Sequence, residues 1–295
     1  NMTIGDSSFG YVIKNTGTTN LTTNGTATLG NEAKFIYSNN KDITVTNNVP
    51  LTSTGNNTYG IYSAGAVTNN ADIDFGRGTG SVAIYAIDGG TARNAAGKTI
   101  TVSGSNLSAT PVPEYGMGMA TSNGTIINDG TIKVALDEGI GMFASGSGSK
   151  AINNGTIELS GKNTKGMYVD NNAVGENWGT IQTAASGLTK VKGVYVANGG
   201  YIKNYGTINI AASDPKSAGV WTDTQSVANV DDTATGVNPI TGVSQTGSST
   251  PRMKVVTADD MKEMGGITIK VPPRMTPPTV TDAQGNVIPI FKVDT

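Results

Sequence analysis

Hydrophobic and polar residues alternate in short stretches along most of this chain. Ile132 and Val134 flank Lys133, and about 25 residues later Ile157 and Leu159 flank Glu158. Alternation with a period of two is typical of a β-strand that has one buried face and one wet face. The predicted inward positions form two columns, one of Ile73, Ile100, Ile132, Ile157, Ile181 and Ile208 and one of Phe75, Val102, Val134, Leu159, Thr183 and Ile210. The pattern therefore predicts one strand repeated many times.

A short motif, Asn-x-Gly-Thr-Ile, leads into these strands. It occupies residues 128–132, 153–157, 177–181 and 204–208, so successive copies lie 25, 24 and 27 residues apart. A repeat of this length indicates a solenoid, in which each repeat is one turn stacked on the next. We expect the asparagines to stack in a hydrogen-bonded ladder and the glycines to be turn residues, so the motif itself is structural. The ladder comprises Asn128, Asn153, Asn177 and Asn204, and the glycines are Gly130, Gly155, Gly179 and Gly206.

A second motif, a small residue followed by a hydrophobic residue and an aromatic one, keeps the same spacing. Its aromatic members are Tyr62, Tyr85, Phe143, Tyr168, Tyr195 and Trp221. We expect the hydrophobic residue to point inward and the aromatic ring outward, because the opposite register would bury tyrosine hydroxyls in an apolar stack. Roughly eight turns follow between Gly10 and Trp221, a rod about 40 Å long at the ~4.8 Å spacing of paired strands.

The periodicity is interrupted within the coil and stops after Trp221. Residues 104–115 lengthen one turn by about ten residues, and such insertions often carry the specificity of a solenoid. We divide the chain into β-helix repeats at 1–222 and a linker with a small β-rich extension or cap at 223–295. Within the second part we predict a loop at 227–251, a short helix at 258–264 and strands at 267–271 and 287–293.

The composition limits the partners and the chemical groups that the chain can use. The chain has 20 basic and 22 acidic residues, a net charge of −2, and neither cysteine nor histidine. The charge gives no reason to expect a nucleic-acid partner. The missing residue types remove disulfides, thiolate metal sites and the commonest general base. No apolar run approaches the roughly 20 residues of a membrane-spanning helix, and we expect no cofactor and no metal.

Catalysis by a β-helix needs converging carboxylates with a basic residue nearby. Asp72 and Asp74 share one face of a strand, but Thr99 and Thr101 take their places in the next turn. The four arginines do not form a column, and the single Asp88-Gly89-Gly90 turn lacks the repeats of a calcium-binding β-roll. We therefore expect no catalytic residues, although a glycan-cleaving β-helix remains an alternative.

Both motifs resemble those in passenger domains of large type V autotransporter adhesins of Gram-negative bacteria, most closely the fusobacterial outer-membrane adhesins. The resemblance covers about residues 9–222. It implies a right-handed parallel β-helix, secretion through the outer membrane and display on the bacterial surface. It also implies that the chain is an excised fragment whose attachment to the membrane uses a barrel domain absent from this sequence.

The prediction is an all-β, right-handed parallel β-helix of about 25 residues per turn that serves as a monomeric, non-catalytic adhesin stalk. Its partner would be a host-cell or bacterial surface glycan or protein. A purely structural spacer, with the binding site elsewhere, remains a second alternative. The candidate ligand-binding residues are the six aromatics Tyr62, Tyr85, Phe143, Tyr168, Tyr195 and Trp221, together with Glu114 and Tyr115 of the insert, since exposed aromatic faces suit sugars and protein partners.

Overall fold

Short parallel strands make up most of the structure, which is a computed structural model. It describes residues 1–14, 16–226, 243–245, 252–262, 280–281, 283–284 and 287–288. The predicted strand at 267–271 lies outside these residues, as does most of the predicted loop at 227–251. Within the described ranges, no helix is long and apolar enough to cross a membrane. Strands are numbered in chain order, and the helix Ala258–Lys262 is α1.

The strands form three long sheets and one short hairpin. Sheet 1 contains β1 (Met2–Ile4), β4 (Ala27–Leu29), β7 (Leu51–Ser53), β10 (Ile73–Asp74), β13 (Thr99–Thr101), β16 (Thr131–Val134), β19 (Thr156–Leu159), β22 (Thr180–Thr183), β25 (Thr207–Ile210) and β27 (Val243–Gln245). Sheet 2 contains β2 (Phe9–Ile13), β5 (Lys34–Ser38), β8 (Tyr59–Ser63), β11 (Val82–Ile87), β14 (Met117–Ser122), β17 (Ile140–Ser145), β20 (Lys165–Asp170), β23 (Lys192–Ala197), β26 (Ala218–Asp223) and β28 (Met253–Val256). Sheet 3 contains β3 (Thr19–Thr23), β6 (Ile43–Asn47), β9 (Ala66–Asn69), β12 (Thr91–Asn94), β15 (Thr125–Asn128), β18 (Lys150–Asn153), β21 (Val174–Asn177) and β24 (Tyr201–Asn204). The hairpin pairs β29 (Val280–Thr281) with β30 (Val287–Ile288).

Each complete turn of the coil places one strand in each long sheet, parallel to its neighbours. In sheet 1, Ile132 pairs with Ile157 and Ile157 with Ile181, as the alternation predicts. These side chains are buried in one core cluster that runs inside the coil. The prediction of an all-β, right-handed parallel β-helix of about 25 residues per turn is confirmed, with about nine turns in all.

Close packing explains two of the repeated glycines. Gly155 lies at the corner between sheets 3 and 1, as expected of a turn residue, but its φ is not in the left-handed region. A Cβ there would lie only 2.0 Å from the carbonyl oxygen of Gly130 in the preceding turn. At Gly166, in the second motif, a Cβ would lie 2.5 Å from the carbonyl oxygen of Gly193 and 2.6 Å from Cγ2 of Ile181. Glycine is therefore needed at both places because the backbones approach so closely.

The coil continues beyond residue 222. Strand β27 pairs with β25, and β28 pairs with β26, both in parallel register. Strand β27 lies inside the stretch predicted to be a loop. Helix α1 begins where the sequence predicts a helix, and β30 falls within the predicted last strand. The division of the chain into two domains at residue 222 stays a prediction.

Candidate functional site

The predicted aromatic column lies on the outer face of sheet 2. Tyr85 pairs with Tyr62 of the preceding turn, and Phe143 pairs with Tyr168 of the following one. Ile84, one residue before Tyr85, belongs to the core inside the coil. The predicted register, with the hydrophobic residue inward and the aromatic ring outward, is confirmed.

The outward rings are nevertheless buried, so the prediction that they are exposed is wrong. Each of Tyr62, Tyr85, Phe143, Tyr168, Tyr195 and Trp221 is at most 8% exposed, and all belong to a second hydrophobic cluster, here called the outer cluster. Neighbouring rings stack on one another, with centroids 4.4 Å apart for Tyr168 and Tyr195 and 5.1 Å apart for Phe143 and Tyr168. In this arrangement the six rings do not offer an open surface to a ligand.

The physical reason is a second apolar column beside the rings. Tyr59, Val82, Met117 and Ile140, each three residues before the aromatic position, are also buried in the outer cluster. A face that is apolar across several columns is unfavourable in water. Met261 of α1 packs into the same cluster, where its carbonyl oxygen accepts a hydrogen bond of 3.4 Å from the Tyr195 hydroxyl. The apolar column is visible in the sequence and could have predicted this burial.

Two buried lysines, Lys165 and Lys192, continue that column. The Lys192 Nζ lies 4.5 Å from the centre of the Trp221 ring. Burial lowers the pKa of Lys165 to about 8. Burial, with repulsion from Lys165, lowers the pKa of Lys192 to about 6. Burial therefore disfavours the charged form of both lysines, and more strongly for Lys192.

A buried acid, Asp170, lies at the opposite edge of the outer face. Burial raises its pKa to about 6, although a hydrogen bond with Ser145 acts in the opposite direction. Its Oδ1 has no hydrogen-bond partner within the described part of the chain. Asp170 and Lys165 are the two ends of strand β20, about 16 Å apart at the usual rise per residue. The acid and the lysine are thus too distant to act together on one bond.

The insert at 104–115 folds back on itself. Asn106 and Glu114 exchange two backbone hydrogen bonds of 2.7 and 2.9 Å. Glu114 and Tyr115 are both half-buried, and Tyr115 packs against the outer cluster. Burial, together with the charge of Glu138, raises the pKa of Tyr115. The structure therefore brings Tyr115 to the predicted aromatic column, while a role for either residue in ligand binding stays a prediction.

The asparagine ladder is confirmed and is longer than predicted. Nδ2 of Asn128 donates to Oδ1 of Asn153 at 2.9 Å, Asn153 donates likewise to Asn177, and Asn177 to Asn204. The series begins earlier, with Asn47, Asn69 and Asn94. These upstream asparagines lack the Gly-Thr-Ile that follows the others, so the motif alone does not reveal them. All seven are buried, which assigns them to structure rather than to ligand contact.

An exposed aromatic pair, which the sequence analysis missed, lies at the corner between sheets 3 and 1. Trp178 and Tyr205 fill the variable position of the Asn-x-Gly-Thr-Ile motif in consecutive turns. Trp178 is 53% exposed and Tyr205 42% exposed, and their rings stack with centroids 4.0 Å apart and planes inclined by 19°. The variable position lies between a buried asparagine and a tightly packed glycine, so its side chain must point outward. This position in the motif is the sequence signal that could have predicted an exposed aromatic pair.

Both acids considered for catalysis accept hydrogen bonds from backbone N–H groups. Asp72 accepts from the backbone N–H of Thr99 at 2.8 Å, and Asp74 from that of Gly76 at 3.0 Å. Asp74 and Arg77 line one cleft on the side of the coil, together with threonine and serine side chains. Among the described residues, no three acidic side chains lie close enough together to hold a metal ion.

The stacked turns of parallel strands form a parallel β-helix of the pectate lyase-like class. Residues 2–177, more than half of the chain, match the family described as the BigA third pectate lyase-like domain, and the chain belongs to that family. Domains of this family occur in surface-displayed bacterial proteins. Neither the curated proteins nor the solved structures include a match to the chain.

Proposed function

We propose that this chain is a non-catalytic binding domain of a bacterial surface adhesin. The coil acts as a stalk that presents a binding surface to glycans or proteins on host cells or other bacteria. The proposal includes export through the outer membrane as a monomeric autotransporter passenger. The motifs of this passenger most resemble those of the fusobacterial adhesins. Family membership supports the surface location.

The observation that carries the proposal is the exposed stack of Trp178 and Tyr205. Large aromatic side chains are costly to leave in water, and clusters of them on a surface mark binding sites. Most large hydrophobic side chains of the described coil are buried, in the core or in the outer cluster. An exposed aromatic pair on so rigid a support is suited to contact with a partner.

The test is adhesion of beads coated with the chain to bacterial and epithelial cells. We expect the wild type to adhere and the Trp178→Ala/Tyr205→Ala variant to lose most of that adhesion. Val255→Ala is the matched control, because it removes an exposed apolar side chain of strand β28, away from both the corner and the insert. Failure of the wild type to adhere to any cell would favour the structural spacer instead.

One observation favours the alternative of a glycan-cleaving enzyme. Asp74 and Arg77 line the same cleft, so a carboxylate and a guanidinium are available to one bound sugar. An active enzyme would shorten polysaccharides in a panel of pectic and neutral glycans, and Asp74→Ala would abolish that activity. We expect no shortening by the wild type.

A further inference from the structure

The exposed pair forms one wall of a step on the surface of the coil. The variable position of the motif holds Asp129, Asn154, Trp178 and Tyr205 in four successive turns, two short polar side chains followed by two long aromatic ones. One face of the Trp178 indole is covered by Tyr205. The opposite face lies on the side of the preceding turn, where the equivalent position holds the shorter Asn154, and Trp178 is 53% exposed. We call this step the ledge.

The indole is held in place before any ligand arrives. The backbone N–H of Trp178 donates to the carbonyl oxygen of Asn153 at 2.8 Å, and the indole Nε1 donates to Oε2 of Glu176 at 3.4 Å. Oε1 of Glu176 in turn lies 3.3 Å from Nζ of Lys150. With Tyr205 stacked behind it, the ring has few orientations to lose on binding, which lowers the entropic cost.

Polar side chains form the floor of the ledge. Nδ2 of Asn154 donates to Oδ1 of Asp129 at 2.8 Å, and Oδ2 of Asp129 pairs with Arg93. Amide, carboxylate and guanidinium groups in the preceding turns supply both donors and acceptors on the same side of the coil. Both carboxylates near the ledge, Asp129 and Glu176, already have a basic partner. Arg93 and Lys150 are therefore each offset by a carboxylate, which does not favour an anionic ligand.

An apolar wall beside a polar floor matches the chemistry of a pyranose sugar. The C–H face of a sugar ring packs against an aromatic ring, while its hydroxyls require both donors and acceptors. We propose that the ledge binds a neutral hexopyranose of a surface glycan, with its C–H face on Trp178 and its hydroxyls at Asn154 and Asp129. This assignment rests on the proposed function and names its ligand class. A single sugar of about 12 non-hydrogen atoms would bind with a dissociation constant on the order of millimolar, and several copies on one surface would strengthen attachment.

Nuclear magnetic resonance on the ¹⁵N-labelled full chain tests the ledge directly. The chain has two tryptophans, so two indole N–H signals are expected, and Trp178→Phe assigns them. We expect lactose, cellobiose or mannobiose to shift the Trp178 signal saturably and to leave that of buried Trp221 unchanged. Asn154→Ala should weaken binding several-fold. Trp178→Ala, followed through the backbone amide signal of Asn154 because the indole signal is lost, should abolish binding, while Val255→Ala should bind as the wild type does.

Three results would overturn the assignment. The first is the absence of a saturable shift with every neutral sugar tested, as expected if the pair binds a protein. The second is tighter binding of digalacturonate than of the neutral sugars. The third is unchanged sugar binding by Trp178→Ala. The cell assay separates this failure from that of the proposed function. Adhesion that persists without any effect of sugars overturns only the ledge, whereas sugar binding without adhesion overturns only the adhesin.

Discussion

Replacing Asn153 by alanine would interrupt the asparagine ladder at its middle. The Asn153 side chain is fully buried, donates to Asn177 Oδ1 at 2.9 Å and to the Gly155 carbonyl oxygen at 3.2 Å, and accepts from Asn128 at 2.9 Å. Without it, Asn177 Oδ1 loses the donor from the preceding turn and Asn128 Nδ2 loses one of its acceptors. The Gly155 carbonyl oxygen keeps the N–H of Thr180.

These losses set the expected magnitude. A buried polar group that loses its partner costs about 1–3 kcal/mol, and Asn128 keeps its second acceptor, the carbonyl oxygen of Gly130. We therefore expect Asn153→Ala to lower the free energy of unfolding by about 2–4 kcal/mol. The assay is urea unfolding followed by far-ultraviolet circular dichroism, with the shift in midpoint multiplied by the m-value.

Asn154→Ala is the matched control. Asn154 is the next residue, is exposed, and donates a hydrogen bond to Asp129 at the surface. Its replacement should change the free energy of unfolding by no more than about 0.5 kcal/mol. Equal effects of the two substitutions would refute the conclusion that the ladder stabilises the coil.

Three further substitutions test the packing and the buried charge. Phe143→Ala should cost about 3–5 kcal/mol because the ring is fully buried in the outer cluster, and a cost of under about 1 kcal/mol in the same urea assay would contradict that burial. Gly166→Ala should cost about 1–3 kcal/mol because its Cβ would meet the backbone of the next turn, whereas Gly104→Ala, with its nearest contact at 3.5 Å, should be tolerated; similar melting temperatures for the two variants would count against the close approach. Because burial raises the pKa of Asp170 from 3.8 to about 6, the stability of the wild type should fall as the pH rises through this range. Asp170→Asn should then add up to about 3 kcal/mol at pH 7 and almost nothing at pH 3.5, and equal gains at both values would contradict the shifted pKa.

The coil could be predicted because each turn repeats the same physical demands. Ile132 and Ile157 recur at one spacing because each fills the same place in the core, and Asn128 and Asn153 recur because each bonds to the next. The motif does not identify the upstream asparagines because their flanking residues differ. A ladder requires only the side chain and its spacing, not the rest of the motif.

The surface was harder to predict because exposure depends on neighbouring columns as well as on the strand's own alternation. The outward direction of Tyr168 follows from alternation, but its burial also depends on the column that contains Ile140 and Lys165. Buried lysines are uncommon, so the sequence alone gives no sign that Lys165 and Lys192 are buried. Trp178 presents the opposite case, because a buried asparagine and a packed glycine on either side force an aromatic residue outward.

We propose that this coil binds a glycan without cleaving it. Affinity electrophoresis of the full chain with fluorescently labelled neutral and pectic oligosaccharides measures both properties in one sample. We predict that at least one neutral oligosaccharide is retarded by the wild type, passes unretarded with Trp178→Ala, and is recovered at its original length. Recovery of shortened products that disappear with Asp74→Ala would contradict the claim.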